Sequence, residues 1–217
     1  MLPRLGGEYH SPLLCPVRSI EAVDRSIPAS DYTPMTDALL EQVVERTMAF
    51  EGACGWLYLD TATPPRVTCG AGHALFGVES ALLLPWRTGT QPAQTTQVRR
   101  DYLAIQTAPA GHTAPFYEPL TVCRLTDADI RGLCQLDIVT RLTTLRKHFP
   151  DLDFYPPGPQ QALADLAFSL GPDFPPAWPL LSASVLSENW PEAAAQCHRR
   201  GISEQRNRVV AALFLAA

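Results

Sequence analysis

The sequence predicts an α+β protein, mostly helical, with one small antiparallel hairpin sheet set apart from the helices. Apolar residues recur at helical spacing in a segment that ends near residue 51, and again in successive segments from about residue 126 to the end. Alternation with a period of two stands out at one short place, "GWLYLD". With 46% hydrophobic and 18% charged residues over 217 positions, the chain is globular and long enough for one sizeable core, or for two lobes sharing one.

Residues 1–33 are rich in Pro, Gly and Ser without a period, and read as an arm or linker packed on a main domain of 34–217. The first helix lies in "TPMTDALLEQVVERTMAFEG". Thr33 or Thr36 caps it, Pro34 suits a first turn, and Leu40, Val43, Val44, Thr47 and Phe50 form its apolar stripe. Gly52 and Gly55 stop it. The strand that follows puts Trp56, Tyr58 and Asp60 on one face and Leu57 and Leu59 on the other. "TATPP" turns the chain and "RVTCGA" returns it as the second strand.

From Gly77 to about Leu120 the chain is rich in Pro, Thr and Gln, with one short helix expected around "QVRRDYLAIQ". A connection this long is usually functional or disordered. It follows the hairpin directly, so it is expected to pack against it as an extended insertion between lobes (77–120) and to supply no catalytic group. Beyond it, "LTDADIRGLCQLDIVTRLTTLRKHF" carries Ile130, Leu133, Cys134, Ile138, Leu142 and Leu145 on one stripe, with Thr126 and Asp129 placed as a cap. "PQQALADLAFSLGP" is a short apolar helix with a Gly-Pro stop. "AWPLLSASVLSENW", "PEAAAQCHRR" and "SEQRNRVVAALFLAA" supply three more.

A net charge of −5 and the lack of any Lys/Arg run argue against a nucleic-acid partner. No apolar run approaches the roughly 20 residues of a membrane helix, so membrane insertion is not expected. The first residues lack the apolar run of a secretory signal, and the expectation is synthesis in the cytoplasm, with any target outside it reached by another route. The six cysteines form no CxxC pair, which indicates neither a zinc ribbon nor a disulfide framework. Cys69 and His73, with Cys54 nearby, stand at a spacing a metal could use, but without a second close pair buried thiols are the expected reading.

Glu51 lies seven residues after Val44 and four after Thr47, on the face of the buried stripe. An isolated carboxylate there is unfavourable, and the negative end of the helix dipole adds to the effect, so Glu51 is expected to hold a proton as a general acid does. Asp60, at a polar turn, is expected to stay ionised. Two carboxyls in such contrasting settings suit glycosidic cleavage. Thr68, on the returning strand, can orient a water through its hydroxyl.

The order helix, Glu51, Asp60 nine positions on, then the hairpin strand "VTCGAGHAL" resembles the active-site segment of phage T4-type lysozymes, glycoside hydrolase family 24. "LTDADIRGLCQLDI", "QQALADLAFSLGP", "ENWPEAAAQC" and "RNRVVAALF" are similar, in order, to later helices of that family. The closest likeness in style is to the lysozyme-like domains of type VI secretion effectors and pesticin-type toxins. The resemblance implies a lysozyme-like fold: a sheet lobe and a helical-bundle lobe around a sugar-binding cleft.

It also implies a muramidase that cleaves the β-1,4 bond between N-acetylmuramic acid and N-acetylglucosamine with inversion and without a cofactor. Glu51 is then the general acid. Asp60 holds and helps activate the attacking water or steadies the oxocarbenium charge, and Thr68 positions that water. Tyr58 lines the sugar groove, His73 supports the hairpin beside the substrate, Trp56 belongs to the core, and Arg206 or Arg208 approaches Glu51. Three departures stand out: the Asp60–Thr68 segment is two residues longer than the common pattern, the stretch after His73 is much longer, and Ser169 replaces a frequent Asn. The implied partner is bacterial peptidoglycan, reached in the periplasm of a target bacterium by assisted delivery. An antibacterial effector with a secretion-machine carrier and an immunity protein is expected ahead of a phage-type endolysin. A catalytically inactive peptidoglycan-binding module and a lytic transglycosylase remain the alternatives.

Overall fold

The computed structural model describes residues 35–217. The arm expected over residues 1–33, with Cys15, and the cap candidates Thr33 and Pro34 lie outside the described residues. The chain is mixed α+β, with a small antiparallel sheet and several helices.

Helix α1 (Asp37–Glu51) starts at Thr36, whose hydroxyl accepts from the Leu39 N–H at 3.2 Å. It stops at Gly52, whose φ of 80° is open to glycine at little steric cost. Val43, Val44 and Thr47 are its buried residues. The chain then reverses into β1 (Cys54–Leu59), which pairs antiparallel with β2 (Val67–Gly70). A third, two-residue strand, β3 (His73–Ala74), completes the sheet in the order β1-β2-β3 and was not foreseen. It is too short for alternation to reveal it. The free edge of β1 is partly covered, because Leu125 N–H donates to Gly55 O at 2.8 Å.

Residues 77–120 are far more structured than the composition suggests. They form α2 (Val78–Leu82), the minimal hairpin of β4 (Arg87–Thr88) and β5 (Gln91–Pro92), α3 (Thr95–Gln106) and α4 (Ala114–Tyr117). Trp86, Val98, Tyr102, Ile105 and Tyr117 are buried with Leu57, Leu59, Val67 and Cys69 of the sheet in one apolar cluster. Asp101 of α3 is fully buried and accepts from the N–H groups of Val122 and Cys123 at 2.7 and 2.8 Å, which ties the end of the segment to its main helix. The segment is thus half of a core and not a loose connection. Prolines and threonines hide this from periodicity because they sit at turns and helix starts.

Helix α5 (Asp127–His148) begins with a Thr126–Asp129 capping box and buries Ile130, Leu133, Cys134, Ile138, Leu142 and Leu145, the predicted stripe. Ile130 and Leu133 belong to the sheet core, and Cys134 through Leu145 to a second core built with α1, α6 (Pro157–Leu170), α7 (Pro179–Leu186), α8 (Trp190–Gln196) and α9 (Glu204–Leu215). One helix therefore carries both lobes. Helix α6 is central to the bundle and buries every residue from Gly158 to Ala167.

Gly158 permits close contact with α9: a Cβ there would lie 2.2 Å from Leu213 O. Gly132, exposed on α5, faces nothing within 4 Å. Gly158→Ala is expected to destabilise by about 1–3 kcal/mol, whereas Gly132→Ala is expected to stabilise by up to about 1 kcal/mol. Urea unfolding of the two variants checks the opposite signs.

Candidate active site

Where α1 ends, a cleft of about 570 Å³ opens between the sheet and the bundle. Glu51, Tyr58, Asp60 and Thr68 all line it, with Phe168 and Ser169 from α6. The burial expected for Glu51 is not found. One turn earlier Thr47 is fully buried, but the helix stops at Gly52 and the last turn of the stripe faces the cleft. The Glu51 side chain is 29% exposed, and its carboxylate meets Arg206 Nη1 at 2.5 Å. An isolated buried acid is thus replaced by a paired acid at a cleft wall.

Arg206 comes from the first turn of α9, where Ser203 caps the helix by accepting from the Arg206 N–H. Its guanidinium stacks against the Phe50 ring at 5.3 Å and is backed by Asp165 of α6. Of the two arginines the sequence left open, Arg206 is the one at Glu51. Arg208 is exposed and donates to Glu204 O within its own helix.

The sheet sets the opposite wall. Tyr58 on β1 is the register partner of Thr68 on β2, so their side chains share one face with Asp60. Burial pushes the Tyr58 phenol above its ordinary value, with neighbouring negative charge adding to the effect, so it stays a neutral hydrogen-bonding group. Thr68 is 1% exposed, and its hydroxyl donates to Arg66 O at 3.1 Å. With the proton so used, the oxygen lone pairs remain to accept from a water.

Asp60 organises the turn. Its Oδ1 accepts from the N–H groups of Ala62 and Arg66 at 3.1 and 2.8 Å. Its Oδ2 accepts from Arg66 Nε at 2.8 Å and lies 2.8 Å from Arg66 Nη2. A carboxylate has about four acceptor positions, and these contacts occupy them. The longer turn is therefore closed on the carboxylate itself, a role that spacing could not reveal.

His73 lies not in this cleft but in an adjoining groove of about 610 Å³, which continues the first past Arg66, Gly72, Phe168 and Ser169. Its Nδ1 pairs with Asp137 of α5 at 2.9 Å and ties the sheet to the spine helix. Trp56 is partly buried against the sheet core, donates from Nε1 to Ala114 O at 2.9 Å and lies under the Arg124 guanidinium. The 77–120 segment reaches the cleft through His112, Thr113 and Ala114, and His112 is stacked on Phe116 at 3.8 Å. His112, Arg66 and Asp165 were all missed by sequence reasoning. Only Asp165 left a trace, as a charged residue inside the apolar run "ALADLAF".

No protein-family model matches the chain, and no curated protein matches it in sequence. Among the described residues no group of three His, Cys, Asp or Glu side chains is gathered as a metal site. Cys69 is fully buried, opposite His73 in the β2–β3 ladder.

Burial raises all five described thiols, Cys54 to about 11, Cys123 and Cys134 to about 12, with Cys69 and Cys197 shifted the same way. A thiol reagent at neutral pH is expected to leave these five unmodified in the folded protein and to reach them after unfolding, as a mass-spectrometric count of adducts will show. The unfolded thiols lose their protons near 9.0 while the folded ones keep theirs. The unfolded chain then binds fewer protons, and stability is expected to fall as pH rises from about 9 to 12.

Proposed function

We propose that the chain is a peptidoglycan muramidase with a lysozyme-like fold, hydrolysing the β-1,4 bond between N-acetylmuramic acid and N-acetylglucosamine with inversion. The observation that carries this reading is the convergence of Glu51, Tyr58, Asp60 and Thr68 on one cleft between the two cores. The cleft runs on into the groove beside His73, a form that suits a polymer crossing the site better than a single sugar.

In the proposed reaction Glu51 protonates the leaving glycosidic oxygen from the α1 side. Arg206 holds one of its oxygens and so fixes the direction of the other. As the bond breaks, positive charge grows on the sugar ring. Asp60 has its acceptor positions occupied and acts as a fixed negative charge that steadies the oxocarbenium ion. A water that donates to the Thr68 hydroxyl oxygen attacks the face opposite the leaving group and releases its surplus proton to solvent water in the open cleft, from which Glu51 regains its own, and Tyr58 lines the sugar path. The substrate lies outside the cytoplasmic membrane of bacteria, so the proposal includes delivery to the periplasm as an antibacterial effector.

Digestion of purified peptidoglycan with product analysis by mass spectrometry tests the reading. Reducing muramic ends are expected; 1,6-anhydro ends would make the enzyme a transglycosylase, and intact sacculi a binding module. Glu51→Gln keeps the shape but removes the proton donor, and turnover is expected to fall by roughly two to four orders of magnitude. Near-normal lysis by a folded Glu51→Gln variant would remove Glu51 from the mechanism. The first-formed anomer read by NMR is expected to be α; a fresh β-anomer would show retention and a covalent intermediate.

A further inference from the structure

Behind Glu51 lies a buried charge cluster that the proposed reaction does not itself use. Asp165 is fully buried in the middle of α6. Its Oδ1 accepts from Arg199 Nη1 at 2.7 Å, and Arg206 Nε lies 3.2 Å from each of its oxygens. Arg199 is 1% exposed, is held by Asn207 Oδ1 at 3.2 Å, and donates from Nη1 to Ser169 Oγ on the cleft wall at 2.5 Å. Arg46 of α1, bonded to Gln161 Oε1 at 2.8 Å, adds another cation whose charge acts on Asp165 and Arg206. Guanidinium groups thus outnumber carboxylates, and Nη2 of both Arg199 and Arg206 is buried without an acceptor among the described residues.

Resting on the muramidase reading, we infer that Asp165 and Arg199 are positioning residues that set the charge borne by Arg206 against Glu51, and so the pH at which the acid loses its proton. Among the described residues Arg206 is the one side chain hydrogen-bonded to both carboxylates: Nη1 reaches Glu51 while Nε reaches Asp165. Asp165 therefore does two things. It fixes the guanidinium so that one nitrogen points at the acid, and it cancels part of the positive charge that would otherwise favour the deprotonated form of Glu51. Arg199 opposes the second effect by consuming part of the charge of Asp165.

The other ionisable groups around Glu51 are set apart from this cluster. Asp60 is matched by Arg66 on the hairpin, and Tyr58 and Cys134 keep their protons because burial raises both. His112 faces the cleft from the opposite wall, stacked on Phe116. None of them contacts Arg206, so changes made at positions 165 and 199 reach Glu51 with signs fixed by charge alone.

The test compares pH–rate profiles on purified peptidoglycan for wild type, Arg199→Gln, Asp165→Asn and the double variant, each shown to be folded by its melting curve. Removing the cation at 199 is expected to move the alkaline limb up by about one pH unit, and removing the anion at 165 to move it down by a similar amount. On the limb this is roughly a tenfold change in rate at fixed pH. In the double variant the two charges cancel and the limb is expected to return to the wild-type position, even though the bundle is less stable. If Asp165→Asn fails to fold, Arg199→Gln and the double variant carry the same contrast. NMR titration of the labelled Glu51 carboxyl gives the matching midpoints without reference to turnover. Limbs and midpoints that stay in place, or that move in the same direction for both single variants, overturn the inference. Absence of lysis by the wild type overturns the muramidase reading instead, and the NMR midpoints still decide the charge linkage.

Discussion

A carboxylate with no access to water, Asp165 in the middle of α6, constrains how the helical bundle closes. A buried charge of this kind persists only with partners of opposite charge and good geometry. Two arginines meet the requirement, Arg199 from the loop after α8 and Arg206 from the first turn of α9. The loop between α8 and α9 and the first turn of α9 are thereby locked onto α6. The tight contact of Gly158 with Leu213 O then fixes the far end of α9. Breaking one partner of such a group costs about 3–5 kcal/mol, so the register of α9 against α6 is defined more sharply than apolar packing alone would define it. Because Arg206 also reaches Glu51, the same constraint positions the end of α1 at the cleft.

The opposite wall depends on α5. Its N-terminal turns pack in the sheet core through Ile130 and Leu133, and the rest packs in the bundle core. Asp137, in the middle of this helix, pairs with His73 on the edge strand. The sheet is thus fixed to a rigid element shared with the bundle, and a cleft between two lobes keeps its width. On that frame the hairpin turn is shaped by Asp60, whose contacts to Ala62 and Arg66 close a loop that otherwise has no regular structure. Asp60 thus combines a structural duty with a charge displayed in the cleft. A fixed dipole or charge of this sort needs no reorganisation when positive charge develops nearby.

Much of the fold was legible in the sequence because local rules govern it. The Thr126–Asp129 cap, the stripe from Ile130 to Leu145 and the stop of α1 at Gly52 rest on interactions within one or two helical turns. The strand faces of "GWLYLD" follow from period two, and Leu57 and Leu59 are buried as that period requires. Of the 77–120 segment only α3, the helix expected around "QVRRDYLAIQ", was legible. The segment's helices are short, their starts are marked by Gln94 and Thr113 among prolines and threonines, and its apolar residues find their partners on the sheet rather than within a repeating stripe.

By itself the sequence determined which side chains with catalytic potential lie around the first hairpin, in what order, and on which strand face: Glu51 at a helix end, Tyr58 and Asp60 on one side of a strand, Thr68 on its return. Only the tertiary structure decided their surroundings. It left the acid expected to be buried partly exposed, chose Arg206 over Arg208 as its partner across a sequence separation of 155, filled the acceptor positions of Asp60 with Arg66, and placed Asp165 and Arg199 behind the site. The reason is physical: periodicity and capping report contacts a few residues apart, whereas charge compensation depends on distance in space and on exclusion of water, and both arise only when α6, α9 and the end of α1 meet.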